Sequence, residues 1–393
     1  RCIIINNKKS NKMEKKEVKV CSHCVMNSTD SDIRFDKDGS CNWCRNYEEV
    51  ILPYWNYGKG HEKDLENLIA DIKKSGEGKD YDCLIGLSGG LDSSYMLHLA
   101  VKEWGLRPFV FHIDAGWDLP VTTENLSKMV EKMGIKMHVE KPDWDELRRM
   151  QIAFFKAGSA SLDAPQDHAF IALVDHFAMK LGVKYILNGY NIPTEVIGDP
   201  ASWFVGGGSS GDSRYIKDVL KKNGNVKVKK YIWTSGFRHK FWLPYVKGVK
   251  TVTPLNFIPL TRQQMIDTLH EEYGFEFYGQ KHFEDEITKF IEGYWLPKRF
   301  GYDIRMSWLS SLVVTGQMTR EEALRELEQP PMTEEEGRKM FKEVARKLEI
   351  SEEELQGYLD MPFVPRKYKN SEWAFKIGIW LYTKLGLDHR IRQ

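Results

Sequence analysis

The sequence predicts an α/β protein with a doubly wound parallel sheet, preceded by a zinc-binding module and followed by a helical region. Three observations support this. Between about 61 and 190, short apolar strands alternate with amphipathic helices, a pattern typical of βαβ units. Four cysteines cluster between Cys21 and Cys44. From about residue 261 onward the strands stop and helical periodicity dominates.

Length and charge limit the functional classes. The 393 residues suffice for two or three domains of roughly 100–200 residues. A formal net charge of +1 argues against a protein that mainly coats nucleic acid. No apolar run approaches the roughly 18–20 residues that span a bilayer, and Cys2–Ile5 is too short for a signal peptide. We therefore expect a cytoplasmic protein. The predicted units are a tail over 1–19, disordered or foreign to the natural chain, a zinc module over 20–60, a sheet domain over 61–260 and a helical region over 261–393.

The zinc module is predicted from cysteine spacing. Cys21, Cys24, Cys41 and Cys44 form C-x2-C-x16-C-x2-C, within the window for a four-thiolate zinc site. A pair of disulfides is the alternative, but it requires an oxidising compartment. Four thiolates leave no open position for water, so the ion is expected to be structural. Segment 20–50 has few apolar residues, and the metal would replace a core there.

The remaining elements follow in chain order. Leu65, Leu68, Ile69 and Ile72 have helical spacing, and Ser75-Gly76 ends that helix. Cys83 lies in an apolar strand and is expected to be a small buried hydrophobe. The predicted strands are 81–87, 109–113, 135–140 and 184–187. The predicted helices are 61–75, 92–104, 121–133, 165–181, 263–272, 283–293, 304–315 and 319–329.

The turn between the first strand and its helix carries the clearest functional signal. Its glycines let the backbone approach an anion, and serine and helical N–H groups can donate to phosphate oxygens. Asp92 is expected to hold Mg²⁺ instead. The turn lacks the lysine of a Walker A loop, and an ordinary strand-to-helix connection is the alternative. The candidate phosphate-binding residues are Ser88, Gly89, Gly90, Asp92, Ser93 and Ser94.

The string SGGLDSS over 88–94 resembles the pyrophosphate-binding (PP) loop of the N-type ATP pyrophosphatases. Those enzymes split ATP into AMP and pyrophosphate while adenylating a carbonyl oxygen. With the segments 24–29, 39–44, 186–191 and 316–324, the chain is similar over roughly 20–330 to the N-acetyl sugar amidotransferases of the WbpG/PseA type. The resemblance implies an adenine-nucleotide alpha hydrolase-like PP-loop fold over 61–260, with ATP and Mg²⁺ as cofactors.

The resemblance also implies a reaction. The acetamido oxygen of an N-acetylated, nucleotide-linked sugar would be adenylated, and ammonia would displace AMP to leave an acetamidino group. No protein nucleophile is needed. Such enzymes act in bacterial surface-polysaccharide and flagellar-glycan biosynthesis, and related systems are associated with a glutaminase and a cyclase-like channel protein. A tRNA-modifying PP-loop enzyme, by thiolation or lysidine-type ligation, is the alternative. A zinc-ribbon binding module would leave SGGLDSS unexplained.

Further candidates lie where the strands end, because doubly wound sheets bind ligands there. Asp114, with Ala115 and Gly116, is expected to meet adenine and ribose, whereas His112 is a ligand residue or a core histidine. Asn188, Gly189, Asn191 and Glu195 resemble a stretch of amide-forming relatives in which the glutamate helps to hold magnesium. Here the interval is one residue longer, so Glu195 could be an ordinary surface carboxylate. Asp167 and His168, beside Asp163 and Gln166, are candidates for substrate contact, with helix capping by the aspartates as the alternative.

Two more segments have open interpretations. The glycine-rich stretch 205–212 is either a linker or a mobile cover over the site. Cations interleave with aromatic residues further on and would suit the phosphates or carboxylate of a sugar nucleotide or uronate, although such lysines are often only solvated. These residues are Lys281, His282, Lys298, Arg299 and Arg305, with Phe283, Tyr294, Trp295 and Phe300. The charge-rich segment 319–352 is expected to be solvated helix.

Overall fold

The computed structural model describes residues 18–204, 208–364 and 366–371, together with 373, 376, 377 and 384. Nearly all of the predicted tail over 1–19 lies outside these residues, as do positions 205–207 of the glycine-rich stretch. Within the described part, the zinc module includes Lys19, whose backbone N–H donates to Ser28 Oγ at 3.0 Å.

Five strands form one parallel sheet in the described part of the chain. They are β1 Cys83–Gly86, β2 Pro108–Ile113, β3 Met137–Glu140, β4 Tyr185–Leu187 and β5 Lys250–Val252, in the order β3-β2-β1-β4-β5. The order reverses direction beside β1, and such a switch point is where doubly wound sheets bind ligands. The predicted fold class is therefore confirmed. The sequence analysis missed β5.

Helices cover the sheet and form the C-terminal region. Before residue 230 they are α1 Asn42–Asn46, α2 Leu52–Trp55, α3 Glu62–Ser75, α4 Leu91–His98, α5 Pro120–Met133, α6 Trp144–Ala157, α7 Ala164–Leu181, α8 Ile192–Glu195 and α9 Ser213–Lys222. After it come α10 Arg262–Tyr273, α11 Glu286–Phe290, α12 Leu296–Phe300, α13 Arg305–Val314, α14 Arg320–Glu328, α15 Glu334–Leu348 and α16 Glu352–Asp360. Wider turns of π type extend α1, α4 and α11 and form 238–246. Among the described residues, no helix has the length and apolar character that crossing a membrane requires.

The eight predicted helices are present, but α16 and the short helices α1, α2, α8 and α12 were missed, as were the longer helices α6 and α9. Both begin at an aspartate that caps the first turn. Asp143 accepts from the N–H of Glu146 at 3.1 Å, and Asp212 accepts from the N–H of Arg214 at 3.0 Å. Such residues favour a helix start, so the signal was present in the sequence.

The expectation that 319–352 is solvated helix is only partly right. Helix α15 buries Phe341, Val344 and Leu348 almost completely. The aromatic ring of Phe341 lies 6.0 Å from that of Phe290 in α11. Apolar residues at this spacing form one face of an amphipathic helix, and that face belongs to the protein core.

The largest apolar cluster crosses the predicted unit boundaries. It joins Tyr47 and Trp55 of the N-terminal module with Phe155 of α6 and Trp295 of the C-terminal region. The boundaries after residues 60 and 260 remain predictions. The zinc module, the layer of helices on the sheet and the C-terminal helices share this core.

Candidate active site

The turn after β1 is shaped by two glycines. Gly89 has a φ of +86°, and a Cβ there would lie 2.2 Å from Thr122 Cγ2. Only glycine fits such a position without strain. The Ser88 hydroxyl accepts from the Gly90 N–H at 3.1 Å and lies 3.1 Å from Ser93 Oγ. Ser88 is exposed, and the first turn of α4 therefore meets solvent beside it. An α-helix N-terminus in this setting suits an anion.

Ser94 differs from the other predicted phosphate-binding residues. It is completely buried, and its backbone N–H donates to the Gly90 carbonyl at 3.1 Å. Its hydroxyl has no hydrogen-bond partner among the described residues. Ser94 is also not among the residues that line the cavities beside the turn, so its role as a phosphate donor stays a prediction that its burial does not support.

A lysine joins the carboxylates that follow β1 and β4. Lys281 Nζ lies 2.8 Å from Asp92 Oδ2, 2.6 Å from Glu195 Oε1 and 3.1 Å from Thr194 Oγ1. Asn191 Nδ2 donates to the other Asp92 oxygen at 2.8 Å. The position between the two carboxylates thus already accepts one positive charge. Carboxylate oxygens are the ligands that Mg²⁺ prefers, so Asp92 and Glu195 fit a magnesium site.

The electrostatics of this cluster follow from its burial. Burial raises the pKa of Glu195 even though Lys281 opposes that shift. Burial also disfavours the charge of Lys281, but attraction to Asp92 and Glu195 outweighs it, and the pKa of the ammonium is raised. Lys281 therefore stays protonated beside residues 88–93, the candidate phosphate-binding turn, called the phosphate turn below.

The segment after β4 is held by short polar contacts. Asn191 caps α8, since its side-chain oxygen accepts from the Thr194 N–H at 3.1 Å. A Cβ at Gly189 would lie 2.9 Å from backbone atoms of Asp92, so glycine allows the close approach of this segment to α4. The exposed Asn188 side chain accepts from the Tyr190 N–H at 2.8 Å. Residues 188–195 are thereby fixed against the phosphate turn.

Two cavities open beside the turn. One of about 350 Å³ lies on the β4 side and collects seven predicted residues: Ser88, Gly90, Asp92, Ser93, Asn188, Gly189 and Glu195. The other, of about 750 Å³, lies on the β2 side and includes Ser88 and His112. The structure thus brings the residues predicted after β1 and after β4 together at the switch point of the sheet.

The larger cavity is strongly acidic. Its carboxylates are Asp118, Asp163, Asp167, Asp199, Glu284, Asp285 and Glu292. Burial raises the pKa of Asp167 to about 6 and that of Asp285 to about 7. His282 lies 3.1 Å from Glu292, and its pKa rises to about 10 because this carboxylate outweighs the effect of burial. Near neutral pH, such carboxyl groups can both donate and accept hydrogen bonds with hydroxyl and amide groups.

Most of the predicted substrate-binding cations are used elsewhere. Lys298 pairs with Glu334. Arg299 donates to the carbonyls of Tyr358, Leu359 and Met361, and Arg305 pairs with Asp303 and donates to backbone carbonyls of 326 and 329. Of the interleaved aromatic residues, Phe283, Tyr294 and Trp295 are buried. The predicted cluster is therefore corrected, and only Lys281 and His282 of its cations reach the site.

Asp167 and His168 have different roles. Asp167 lines the acidic cavity and accepts from Ser210 Oγ at 3.0 Å. His168 is fully buried, with Nδ1 2.7 Å from the Ser210 carbonyl and Nε2 accepting from the Thr234 N–H at 3.3 Å. The predicted catalytic role of His168 is corrected, since both ring nitrogens are used in tethering the segment at Ser210. Asp163 begins α7, yet its side chain makes no capping hydrogen bond.

The predicted residues in and directly after β2 make contacts within the protein. His112 lies 2.7 Å from the Leu87 carbonyl and 2.8 Å from Asp118, so it is a satisfied core histidine at the cavity wall. Asp114 pairs with Lys141 at 2.8 Å, and this lysine lowers the pKa of the carboxyl. Asp114 is not among the residues that line either cavity. Its predicted contact with adenine and ribose is therefore not supported.

The four N-terminal cysteines form a separate cluster. Their sulfurs lie within 4.8 Å of one another, with close pairs at 3.7–3.9 Å, and all four residues are fully buried. Tetrahedral zinc with bonds of about 2.3 Å separates its sulfurs by about 3.8 Å. Cys21 Sγ also accepts from the N–H groups of His23 and Cys24. The cluster therefore fits a structural zinc ion, as predicted.

Replacing Lys281 with methionine is expected to destabilise the protein at neutral pH, by less than the about 3–5 kcal/mol of a fully buried pair, because two partly buried carboxylates lose their cation. Protonation of the carboxylates removes the repulsion, so stability should recover as the pH falls. Added Mg²⁺ should restore it at pH 7. Thermal unfolding measured against pH and Mg²⁺ concentration tests this.

Lys298→Met is the matched control, because its ion pair is largely exposed and is worth less than about 1 kcal/mol. Equal losses of stability in the two variants would contradict the charged cluster. So would a Lys281→Met variant whose unfolding temperature does not respond to pH.

Comparisons with known proteins agree with this architecture. Residues 82–167 match the family model of the phosphoadenosine phosphosulfate reductase domain. Residues 284–382 match the family model described as the C-terminal domain of WbpG-like LPS biosynthesis proteins. A curated relative, an uncharacterized protein of Methanocaldococcus jannaschii, is 25% identical over 174 residues, or 44% of this chain. The chain spans 59% of the length of that relative.

Solved structures with some similarity include three synthetases. NMN synthetase from Francisella tularensis is 13% identical, with a TM-score of 0.28, and the match covers 57% of this chain and 98% of that one. The NH3-dependent NAD synthetase from Campylobacter jejuni is 14% identical, with a TM-score of 0.28, and the match covers 55% of this chain and 93% of that one. The glutamine-dependent NAD+ synthetase from Acinetobacter baumannii is 13% identical, with a TM-score of 0.30, and the match covers 86% of this chain and 51% of that one. The two family matches agree with the resemblance inferred from the motifs: residues 82–167 are similar to the reductase domain and residues 284–382 to the WbpG-like C-terminal domain.

Proposed function

We propose that the protein is an ATP-dependent amidotransferase that converts the acetamido group of an N-acetylated sugar into an acetamidino group. One observation carries the proposal. The turn at 88–93 opens onto a cavity lined by Asp92 and Glu195, two carboxylates that Lys281 bridges, in a chain whose C-terminal domain is WbpG-like. The family description, which names LPS biosynthesis, further favours sugar biosynthesis for a bacterial surface polysaccharide. We propose that the reaction takes place in the cytoplasm.

In this proposal the phosphate turn holds the departing pyrophosphate. The N-terminus of α4 supplies N–H groups and a favourable dipole for it. Lys281 would neutralise charge that develops on the phosphates, a role in which preorganised cations are effective. When Mg²⁺ is bound by Asp92 and Glu195, it would neutralise the triphosphate. Asn191 keeps Asp92 oriented through its 2.8 Å hydrogen bond.

The proposed reaction has two steps. First, the acetamido oxygen attacks the α-phosphorus of ATP, the bond to the β-phosphate breaks and pyrophosphate leaves. Second, the nitrogen of ammonia attacks the imidate carbon, the carbon–oxygen bond breaks and AMP leaves. The proton released by nitrogen needs an acceptor. Asp285 and Asp167, with pKa values of about 7 and 6, lie in the adjoining cavity and suit that role.

The acidic cavity is the proposed place for the sugar ring. Carboxyl groups there can bind its hydroxyls, whereas a phosphate or carboxylate would be repelled unless a cation lay between. Any nucleotide carrier is therefore expected to extend away from this cavity.

Ammonia is either free or delivered by a partner. The partner that we propose is a glutaminase with a cyclase-like channel protein. The zinc ion has a structural role.

The reaction is tested by product analysis. Purified protein with ATP, Mg²⁺, ammonium and UDP- or CMP-linked N-acetyl sugars is expected to release AMP and pyrophosphate in equal amounts. Isotopically labelled ammonium should enter the sugar. If only tRNA stimulated pyrophosphate release, the tRNA-modifying alternative would replace this proposal. Steady-state turnover of glutamine by the isolated chain would contradict delivery of ammonia by a partner.

A further inference from the structure

A small cavity lies behind the phosphate turn, on the side of the C-terminal helices. Its volume of about 30 Å³ is enough for one molecule of the size of water. It is lined by Gly90, Leu91, Asp92, Thr194, Arg262, Phe277, Tyr278, Lys281, His282, Glu284, Trp308 and Leu312. The cavity therefore adjoins the charged cluster in which we place the chemistry.

A wider groove of about 620 Å³ lies on the outside. It runs between Trp55 and Tyr57 of the N-terminal module, the start of α10 and the end of α13. Arg262 and Leu312 line both the groove and the inner cavity. These two side chains therefore form a shared wall between the groove and the space behind the phosphate turn.

We infer that this groove is the entrance for the nitrogen nucleophile, and that Arg262 and Leu312 form a gate through which neutral ammonia reaches the inner cavity. The inference rests on the proposed function. It assigns a second approach to the site, distinct from the two cavities beside the turn, and it gives Arg262 and Leu312 a role in nitrogen transfer.

The wall has the composition of a selective gate. The Arg262 guanidinium lies 5.0 Å from the ring centre of Phe277 and 5.2 Å from that of Trp308. Its side chain makes no ion pair or hydrogen bond with a described residue, although its backbone N–H donates to Gln317 at 2.8 Å. Leu312 is almost fully buried. The guanidinium is thus held between aromatic rings and turned toward both spaces.

Charge explains which nitrogen species would pass. Guanidinium stays protonated at any working pH, and no described carboxylate pairs with Arg262, so its charge repels ammonium at the wall. Further in, the charge of Lys281 is balanced by Asp92 and Glu195, so the selection is made at the wall. The apolar surfaces of Leu312 and Trp308 favour a neutral molecule over an ion. Ammonia would therefore arrive as NH3, the form whose lone pair attacks carbon.

Hydrogen bonds connect the outer groove to the helix that carries Glu195. The Thr315 hydroxyl and the Gln317 side-chain amide each donate to the Pro193 carbonyl at 3.1 Å. Both residues line the outer groove, and Pro193 lies in α8 directly before Thr194 and Glu195. The groove and the proposed metal-binding helix therefore share direct hydrogen bonds.

Leu312→Trp tests the gate by filling the wall. We expect the KM for ammonia in amidine formation to rise at least about tenfold, whereas ATP–pyrophosphate exchange, which reports adenylation alone, stays within about twofold. Val313→Trp is the matched control, because Val313 lies beside it on α13 and lines neither space. An unchanged KM for ammonia in Leu312→Trp would overturn the inference.

Arg262 provides a second test that does not depend on adding volume. Arg262→Ala should let water follow ammonia, so that AMP forms in excess over amidine, and Arg262→Lys should restore the one-to-one ratio. Equal loss of exchange and amidine formation in every variant would assign Arg262 and Leu312 to folding or adenylation instead. Absence of ATP–pyrophosphate exchange in the unaltered protein would contradict the proposed function itself, which is a separate outcome.

Discussion

An Asp92→Asn variant is expected to release pyrophosphate roughly 100–1,000-fold more slowly than the unaltered protein, the range seen when one preorganised electrostatic group is removed. Asp92 has a role in two contacts at 2.8 Å, one with Lys281 and one with Asn191. Asparagine keeps the shape of the side chain but loses the charge that would bind Mg²⁺. Steady-state pyrophosphate release measured over a range of Mg²⁺ concentrations tests this.

The control for Asp92→Asn is Asp71→Asn, which makes the same change on the exposed face of α3. Zinc content and unfolding temperature should stay unchanged in the control and should change little in the site variant. Near-normal turnover of Asp92→Asn would remove this residue from the metal site and would leave Glu195 as the remaining candidate.

A Cys41→Ser variant is expected to lose both zinc and the native fold of the N-terminal module. Structural zinc contributes about 10–16 kcal/mol in zinc-finger peptides, which is as large as the whole stability of a typical domain, about 5–15 kcal/mol. The loss of structure should extend to the C-terminal helices, because Arg320 of α14 donates to the carbonyls of Cys21 and Cys24. Metal analysis and thermal unfolding, with and without a chelator, measure both effects.

Cys83→Ala is the matched control for the zinc cluster. Cys83 is fully buried in β1 but has no part in the cluster. It should retain one zinc ion per chain and lose only about 1 kcal/mol for the small cavity. A Cys41→Ser protein with full zinc content and an unchanged unfolding temperature would disprove the four-thiolate site.

The elements that the sequence predicted are those with local signals. Strands β1, β2, β3 and β4 stand between helices with clear periodicity, and apolar runs mark most of them. Strand β5 has three residues, two of them exposed at the edge of the sheet, so no apolar run marks it. Its place in the sheet is decided by pairing with β4, which is tertiary information.

In the candidate site, too, the local segment was predictable and the contacts between distant segments were not. The turn between β1 and α4 is one contiguous segment, so its residue types and spacing were sufficient to predict its conformation, whereas phosphate binding there stays a prediction. The contact between Asp92 and Lys281 joins residues 189 positions apart, and no local pattern contains that distance. His168 was misjudged because its environment is set by Ser210 and Thr234, which belong to separate segments of the chain.

The shared apolar cluster bears on protein engineering. Because Trp55, Phe155 and Trp295 belong to one cluster, the WbpG-like region is not a cassette that can be exchanged alone between homologues. A chimera that exchanged this region alone would bring together surfaces that evolved with different neighbours. Transplanting residues 20–60, helix α6 and the C-terminal helices together keeps these partners matched and favours a folded hybrid.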